Sequence, residues 1–182
     1  MKISKVVIVL LLAALTASCS KTGDVAVMDT DYGQIKIKLN GQAAPKHVEN
    51  FKKLAREGFY DGLAFHRAVP NLLIQGGDPN TRSDDRSSWG VSAPDQPRVP
   101  AEFSDIPFKR GTLGAARGPD VNSATSQFFI CLRDNPGWNG QYTVFGDVIE
   151  GIDVVEKIAS LPTDPRQRLM NKVVIKKVSF QD

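Results

Sequence analysis

Between Val25 and Phe180 the spacing of apolar and polar positions changes several times, and each change marks a new element. Over Gln34 to Leu39, Ile35, Ile37 and Leu39 alternate with Lys36 and Lys38, the period of a strand with one buried face. Val25 to Met28 precedes it across Asp31-Tyr32-Gly33, a turn sequence, so the two segments are expected to pair as strands. From Pro45 the period lengthens. Val48, Phe51, Leu54 and Ala55 fall on one face of a helix that Pro45 opens and Gly58 stops. Further strands are predicted at Leu63–Arg67, Leu72–Gln75, Gly111–Ala116, Gln127–Leu132, Thr143–Val148 and Val173–Phe180, with a short helix over Ile152–Ser160. Pro79 to Pro107, rich in Ser, Asp, Pro and Gly, reads as a long irregular loop, a feature that in compact domains is functional or disordered. There is no internal repeat. Short strands in this number, with two helices, suit a closed antiparallel barrel, because closure leaves no strand edge unpaired.

The segment before Val25 follows other rules. Lys2 and Lys5 form a short basic start, Val6 to Leu15 are ten consecutive apolar residues, and Thr16-Ala17-Ser18-Cys19 follows. This is the layout of a secretory signal, whose apolar core is too short to cross a bilayer of about 30 Å as a helix. Small residues before Cys19 resemble a bacterial lipobox, in which the cysteine is lipidated and becomes the mature N-terminus; Thr16 departs from the aliphatic residue preferred there. The expected division is a signal peptide over 1–18 cleaved before Cys19, a tether over 19–24, and one domain over 25–182. Two acyl chains on Cys19 would anchor the domain firmly at the membrane. Ser20, in place of the aspartate that retains enterobacterial lipoproteins at the inner membrane, favours the outer membrane facing the periplasm. Ordinary cleavage, releasing a soluble periplasmic or secreted protein, is the alternative.

Composition narrows the function. Loss of Lys2 and Lys5 from 23 basic residues leaves 21 against 20 acidic ones, so the domain carries no field that would gather nucleic acid. Cys131, inside Phe128-Phe129-Ile130-Cys131-Leu132, is expected to be a buried and inert thiol. His47 and His66 are the only histidines, too few for a metal cluster, and no serine or cysteine dyad is evident. His47 is expected on the exposed side of the first helix, and His66 as a structural residue. No pattern demands an oligomer, so a monomer without metal or cofactor is expected.

Two stretches carry the chemistry: Phe65-His66-Arg67-Ala68-Val69-Pro70-Asn71-Leu72-Leu73-Ile74-Gln75-Gly76-Gly77-Asp78, and Ser126-Gln127-Phe128-Phe129-Ile130. They resemble the signatures of the cyclophilin-type peptidyl-prolyl isomerases. The resemblance runs from about Val25 to Phe180 and implies a mainly β fold, a closed eight-stranded antiparallel β-barrel capped by two α-helices. Such an enzyme turns X-Pro bonds, whose rotation is slow because amide conjugation imposes a barrier of about 18–20 kcal/mol. Rotation breaks the conjugation and localises a lone pair on the prolyl nitrogen, so a fixed donor at that atom and a slot for the ring stabilise the transition state.

By resemblance, Arg67 is the catalytic donor and Gln75 orients it. Leu72, Leu73 and Phe129 belong to the proline pocket and Gln127 to its edge. Ala116 and Arg117 contact the substrate chain, the latter through its backbone, while the Arg117 side chain reads equally well as a solvated charge. Trp138 stands at the groove rim and Tyr142 against the proline ring. Three departures stand out: Leu72 replaces a usual phenylalanine, Ala115 replaces a common methionine, and one residue is missing between Trp138 and Tyr142. The expected activity is isomerisation of proline-containing segments of exported proteins, with cyclosporin-type compounds as possible ligands. The competing reading is a proline-peptide-binding chaperone or scaffold with little turnover, which Leu72 keeps open.

Overall fold

The computed structural model of the chain describes residues 23–91 and 95–181. The expected signal peptide, Cys19 and all but the last two residues of the tether lie outside the described residues. Eight strands follow one another with two helices: β1 (Val25–Thr30), β2 (Gly33–Leu39), α1 (Pro45–Arg56), β3 (Ala64–Val69), β4 (Leu73–Gly76), β5 (Thr112–Ala115), β6 (Phe128–Cys131), β7 (Val144–Glu150), α2 (Ile152–Ala159) and β8 (Arg168–Gln181). They close into an antiparallel barrel in the order β1-β2-β7-β5-β6-β4-β3-β8, with β8 returning to β1. The fold read from the strand pattern and the resemblance is the fold observed.

Alternation decides what fills the barrel. Met28, Ile35, Ile37, Phe65, Ile74, Leu113, Phe128 and Ile130 point inward and are excluded from solvent. α1 adds Val48, Phe51 and Ala55 to this core, and α2 adds Val155, Ile158 and Ala159. Phe51 anchors α1: its ring lies 5.0 Å from Tyr60 and meets Phe128 edge-on at 6.0 Å. Burial of one such ring is worth about 1.5–3 kcal/mol. α1 stops where expected. Gly58 takes φ +69°, and the N–H groups of Gly58 and Phe59 return to the carbonyls of Ala55 and Leu54, a left-handed helix stop that glycine adopts without strain.

Four local expectations need correction. His47 is buried, not exposed, because Glu102 folds over the start of α1. Its carboxylate accepts from the Lys46 and His47 N–H groups at 3.0 Å each and contacts His47 Nδ1 at 2.7 Å. A side chain 55 residues away thus supplies the cap that Ala44 cannot provide. The long loop is not irregular throughout: it contains 3₁₀ turns at Pro79–Arg82 and Arg86–Ser88, and Val99 bridges to Ala124. Asp78 holds it by accepting from Gly90 N–H at 2.6 Å and Asn80 N–H at 3.0 Å. Leu72 belongs to the turn before β4, where Pro70 and Asn71 (φ 58°) bring Leu72 N–H to Val69 C=O. Finally, β8 begins at Arg168, five residues earlier than its apolar alternation, because Arg168 pairs opposite Arg67 across an irregularity in the ladder.

Candidate active site

Strand register gathers the site. On the outer face Arg67 (β3) stands opposite Gln75 (β4), Gln75 opposite Phe129 (β6), and Phe129 opposite Gly114 (β5). One row across four strands therefore carries a cation, an amide, an aromatic ring and a gap. The gap matters: a Cβ on Gly114 would overlap the Phe129 ring, with ring carbons at 2.8 Å. Phe129 can lie over β5 only because residue 114 has no side chain.

Around Phe129 a second apolar cluster forms outside the barrel. Phe108 stacks on it at 5.8 Å, while Trp138 and Tyr142 meet it edge-on at 5.3 and 5.6 Å. Ala116 packs against the same cluster. Leu73 is buried on β4 opposite Cys131, another member of the cluster, whereas Leu72 is half-buried in the preceding turn and is not part of it. The segment after Trp138 is secured by Asn139, whose Oδ1 accepts from Phe108 N–H at 2.9 Å. The Arg117 side chain is not a free solvated charge: it donates to the Gln141 and Gly118 carbonyls and lies 4.7 Å over the Tyr142 ring. Its backbone N–H and C=O are engaged by no other described residue, which leaves them available to an extended chain.

The polar half of the row has a direction. Arginine only donates, so Gln75 turns its Oε1 to Arg67 Nη1, at a long 3.4 Å. Gln75 Nε2 then faces away and donates to Gln127 Oε1 at 3.0 Å. That leaves the Gln127 amide nitrogen without a hydrogen-bond partner among the described residues. Gln167 grips Arg67 from the other side: its single Oε1 accepts from Nε at 3.0 Å and from Nη2 at 2.7 Å. The guanidinium is thus held flat between two amides. Half-burial lowers the Arg67 pKa, opposed by the Tyr142 phenol, yet a guanidinium stays charged at any relevant pH.

His66 is 2% exposed, and neither ring nitrogen has a hydrogen-bond partner among the described residues. Burial, and then Arg67, push its pKa down to about 4, so the imidazole beside the arginine is neutral. The Cys131 thiol is pushed up to about 12 by burial and by Asp147, which makes it inert as expected. No group of three or more potential metal ligands occurs among the described residues.

Sequence reasoning singled out Arg67, Gln75, Gln127, Phe129, Trp138, Tyr142, Ala116, Arg117 and Leu73, and the barrel brings them onto one face. It missed Gln167, Gly114 and Phe108. Gln167 follows the turn formers Pro162-Thr163-Asp164-Pro165 and adopts φ 64°, but nothing in its spacing points to Arg67, 100 residues earlier. Gly114 and Phe108 acquire roles only through cross-strand pairing and folding of the loop.

The described barrel corresponds to the span matched by the cyclophilin type peptidyl-prolyl cis-trans isomerase/CLD family, residues 25–180. The chain is 44% identical over 150 residues to a probable peptidyl-prolyl cis-trans isomerase of Brucella suis, covering 80% of this chain and 76% of that one. It is 42% identical over 142 residues to a peptidyl-prolyl cis-trans isomerase of Acinetobacter baylyi, covering 75% and 72%. Among solved structures it resembles a Cryptosporidium parvum cyclophilin type peptidyl-prolyl cis-trans isomerase crystallised in the presence of the dipeptide Ala-Pro. There the TM-score is 0.77 at 27% identity, over 87% of this chain and 99% of that one. A cyclophilin of Hirschia baltica, 22% identical with a TM-score of 0.72 over 87% and 74% of the two chains, shares the fold.

Proposed function

Since this chain belongs to the cyclophilin-type peptidyl-prolyl cis-trans isomerase family, we propose that it turns X-Pro bonds in extended segments of exported proteins, held at the cell envelope by a lipid on Cys19. Its reaction class is peptidyl-prolyl cis-trans isomerisation. The observation that carries the assignment of roles is the Gln167–Arg67–Gln75–Gln127 chain lying beside the Phe129 cluster.

The proline ring enters the slot walled by Phe129, Leu73 and Tyr142, with Leu72 and Trp138 at its margin. The Arg117 backbone pairs with the incoming chain, and Gln127 Nε2 donates to it at the pocket edge. As conjugation breaks, the prolyl nitrogen becomes an acceptor and Arg67 Nη1, with only the long Gln75 contact to give up, donates to it. The guanidinium is already fixed by Gln167, so little reorganisation is needed when the lone pair appears. No proton is transferred, and the rate should therefore not follow the titration of any group in the site. Cyclosporin-type macrocycles would compete for the same slot, and the enzyme would act as a monomer.

Isomerisation of a short proline peptide by the purified protein tests the mechanism. Arg67→Ala should lower turnover at least about tenfold, equivalent to about 1.4 kcal/mol, in a folded variant. Turnover within twofold of the parent would sink the role given to Arg67, and peptide binding without exchange in the parent would make the protein a binding module. Cys19→Ala should move the protein from the membrane fraction to the soluble one. A variant that stays with membranes would remove the lipid anchor from the proposal.

A further inference from the structure

Behind Arg67, on the side away from Phe129, lies a cavity of about 380 Å³ lined by His66, Arg67, Gln75, Ser87, Trp89, Gly90, Val91, Arg166 and Arg168. Three of these residues are arginines and none is a carboxylate. Two of the arginines are already engaged: Arg67 by Gln167, and Arg168 by Asp164 at 2.7 Å. The nearby Asp85 is occupied as well, accepting from the Ser87 N–H and hydroxyl at 2.9 and 2.6 Å. The Arg166 guanidinium, by contrast, is exposed and makes no hydrogen bond or ion pair to a described residue. Gln167 is neutral, so Arg67 and Arg166 both remain uncompensated in charge, and Arg166 is the one whose donors have no partner among the described residues.

A second observation is independent of charge. His66 lines the same cavity, is 2% exposed, and has no partner for either ring nitrogen. Its Cδ2–Nε2 edge faces Gly90, where a Cβ would come within 3.6–3.7 Å of the ring; the bare glycine keeps that wall open. Both ring nitrogens are closed to solvent, so His66 forms a neutral wall of the cavity and leaves the guanidinium groups as the polar groups an occupant meets.

We propose that this cavity is a subsite for the carboxylate of an Asp or Glu side chain close to the proline in the substrate, bound by Arg166 at the wall shared with Arg67. The inference rests on the isomerase reading of the site, since Arg67 and Gln75 belong to both the cavity and the row that includes Phe129. Arg67 is committed to the prolyl nitrogen in the proposed reaction, which leaves Arg166 as the cation that meets the carboxylate. The enzyme would accordingly prefer acidic residues beside proline, a selectivity that the Phe129 slot alone cannot supply.

The test is a set of proline peptides in which one glutamate, or its neutral isostere glutamine, is moved through the two positions before and the two after proline. At one position kcat/KM for glutamate should exceed that for glutamine about fivefold, the upper end of what an exposed ion pair contributes. The ratio should return to near one in Arg166→Gln. Turnover of the glutamine peptides reports on the isomerase itself. Should there be none, peptide affinity measured by fluorescence anisotropy gives the same glutamate-to-glutamine ratio without requiring catalysis. A ratio within about twofold at every position, or a preference that survives Arg166→Gln, overturns the subsite.

Discussion

In the proposed mechanism Arg67 must be charged, immobile and still able to donate. Its two neighbours divide those demands. Gln167 takes Nε and Nη2 with one oxygen and fixes the plane, whereas the 3.4 Å contact to Gln75 is weak enough for Nη1 to be given up to substrate. In that mechanism Gln167 positions the arginine without touching the reacting atoms. Gln167→Ala should lower kcat about fivefold, roughly the net worth of one hydrogen bond, with KM little changed. An effect confined to KM, or a kcat equal to the parent's, would remove Gln167 from the machinery. The signature stretch made Arg67 and Gln75 legible because both lie within it. Gln167 was not legible, since a glutamine in a polar turn carries no local sign of the strand it will face.

At the level of elements, antiparallel pairing turns a list of residues into a row. Period-two alternation places Gln75 and Phe129 on the face opposite Ile74, Phe128 and Ile130, and register aligns them with Arg67 and Gly114. Because the Phe129 ring occupies the space a Cβ would need, Gly114→Ala should destabilise the fold by about 1–3 kcal/mol through overpacking and cut turnover at least about tenfold. Thermal unfolding and the peptide assay together check this; a variant that keeps both stability and rate would show that the ring does not depend on the gap. The loop between β4 and β5 makes the complementary point. Its composition reads as irregular, yet Glu102 caps α1, Asp78 holds Gly90, and Trp89 is buried with Nε1 donating to Ser83 C=O at 3.1 Å. Caps supplied from far along the chain are invisible to a reading of local spacing.

For the whole molecule, the loop between β4 and β5 packs over His66 through Gly90, and pH dependence follows from its burial. The folded state holds its pKa near 4 against an ordinary value of 6.5, so folding favours the neutral ring. Below about pH 6.5 the unfolded chain binds a proton that the folded chain refuses. The contribution of His66 is complete above that pH and is lost as pH falls toward 4, on the order of 3 kcal/mol in all. Burial lowers the His47 pKa too, against the opposing pull of Glu102. Denaturant unfolding at pH 7 and pH 4 should show a marked acid loss in the parent and a smaller one in His66→Phe. Equal losses in the two proteins would show that the imidazole is not the group responsible.

The sequence by itself determined the strands, the two helices and the chemical character of the site. These follow from local periodicity, from turn residues such as Asp31 and Gly58, and from a signature whose residues lie close together in the chain. Tertiary structure alone decided the burial of His47, the grip of Gln167 on Arg67, the space over Gly114 and the cavity shared by His66 and Arg166. Each of these joins groups that only barrel closure or loop folding brings together. Their energies come from the exclusion of water and from hydrogen bonds across that distance, quantities that have no value until the chain has folded.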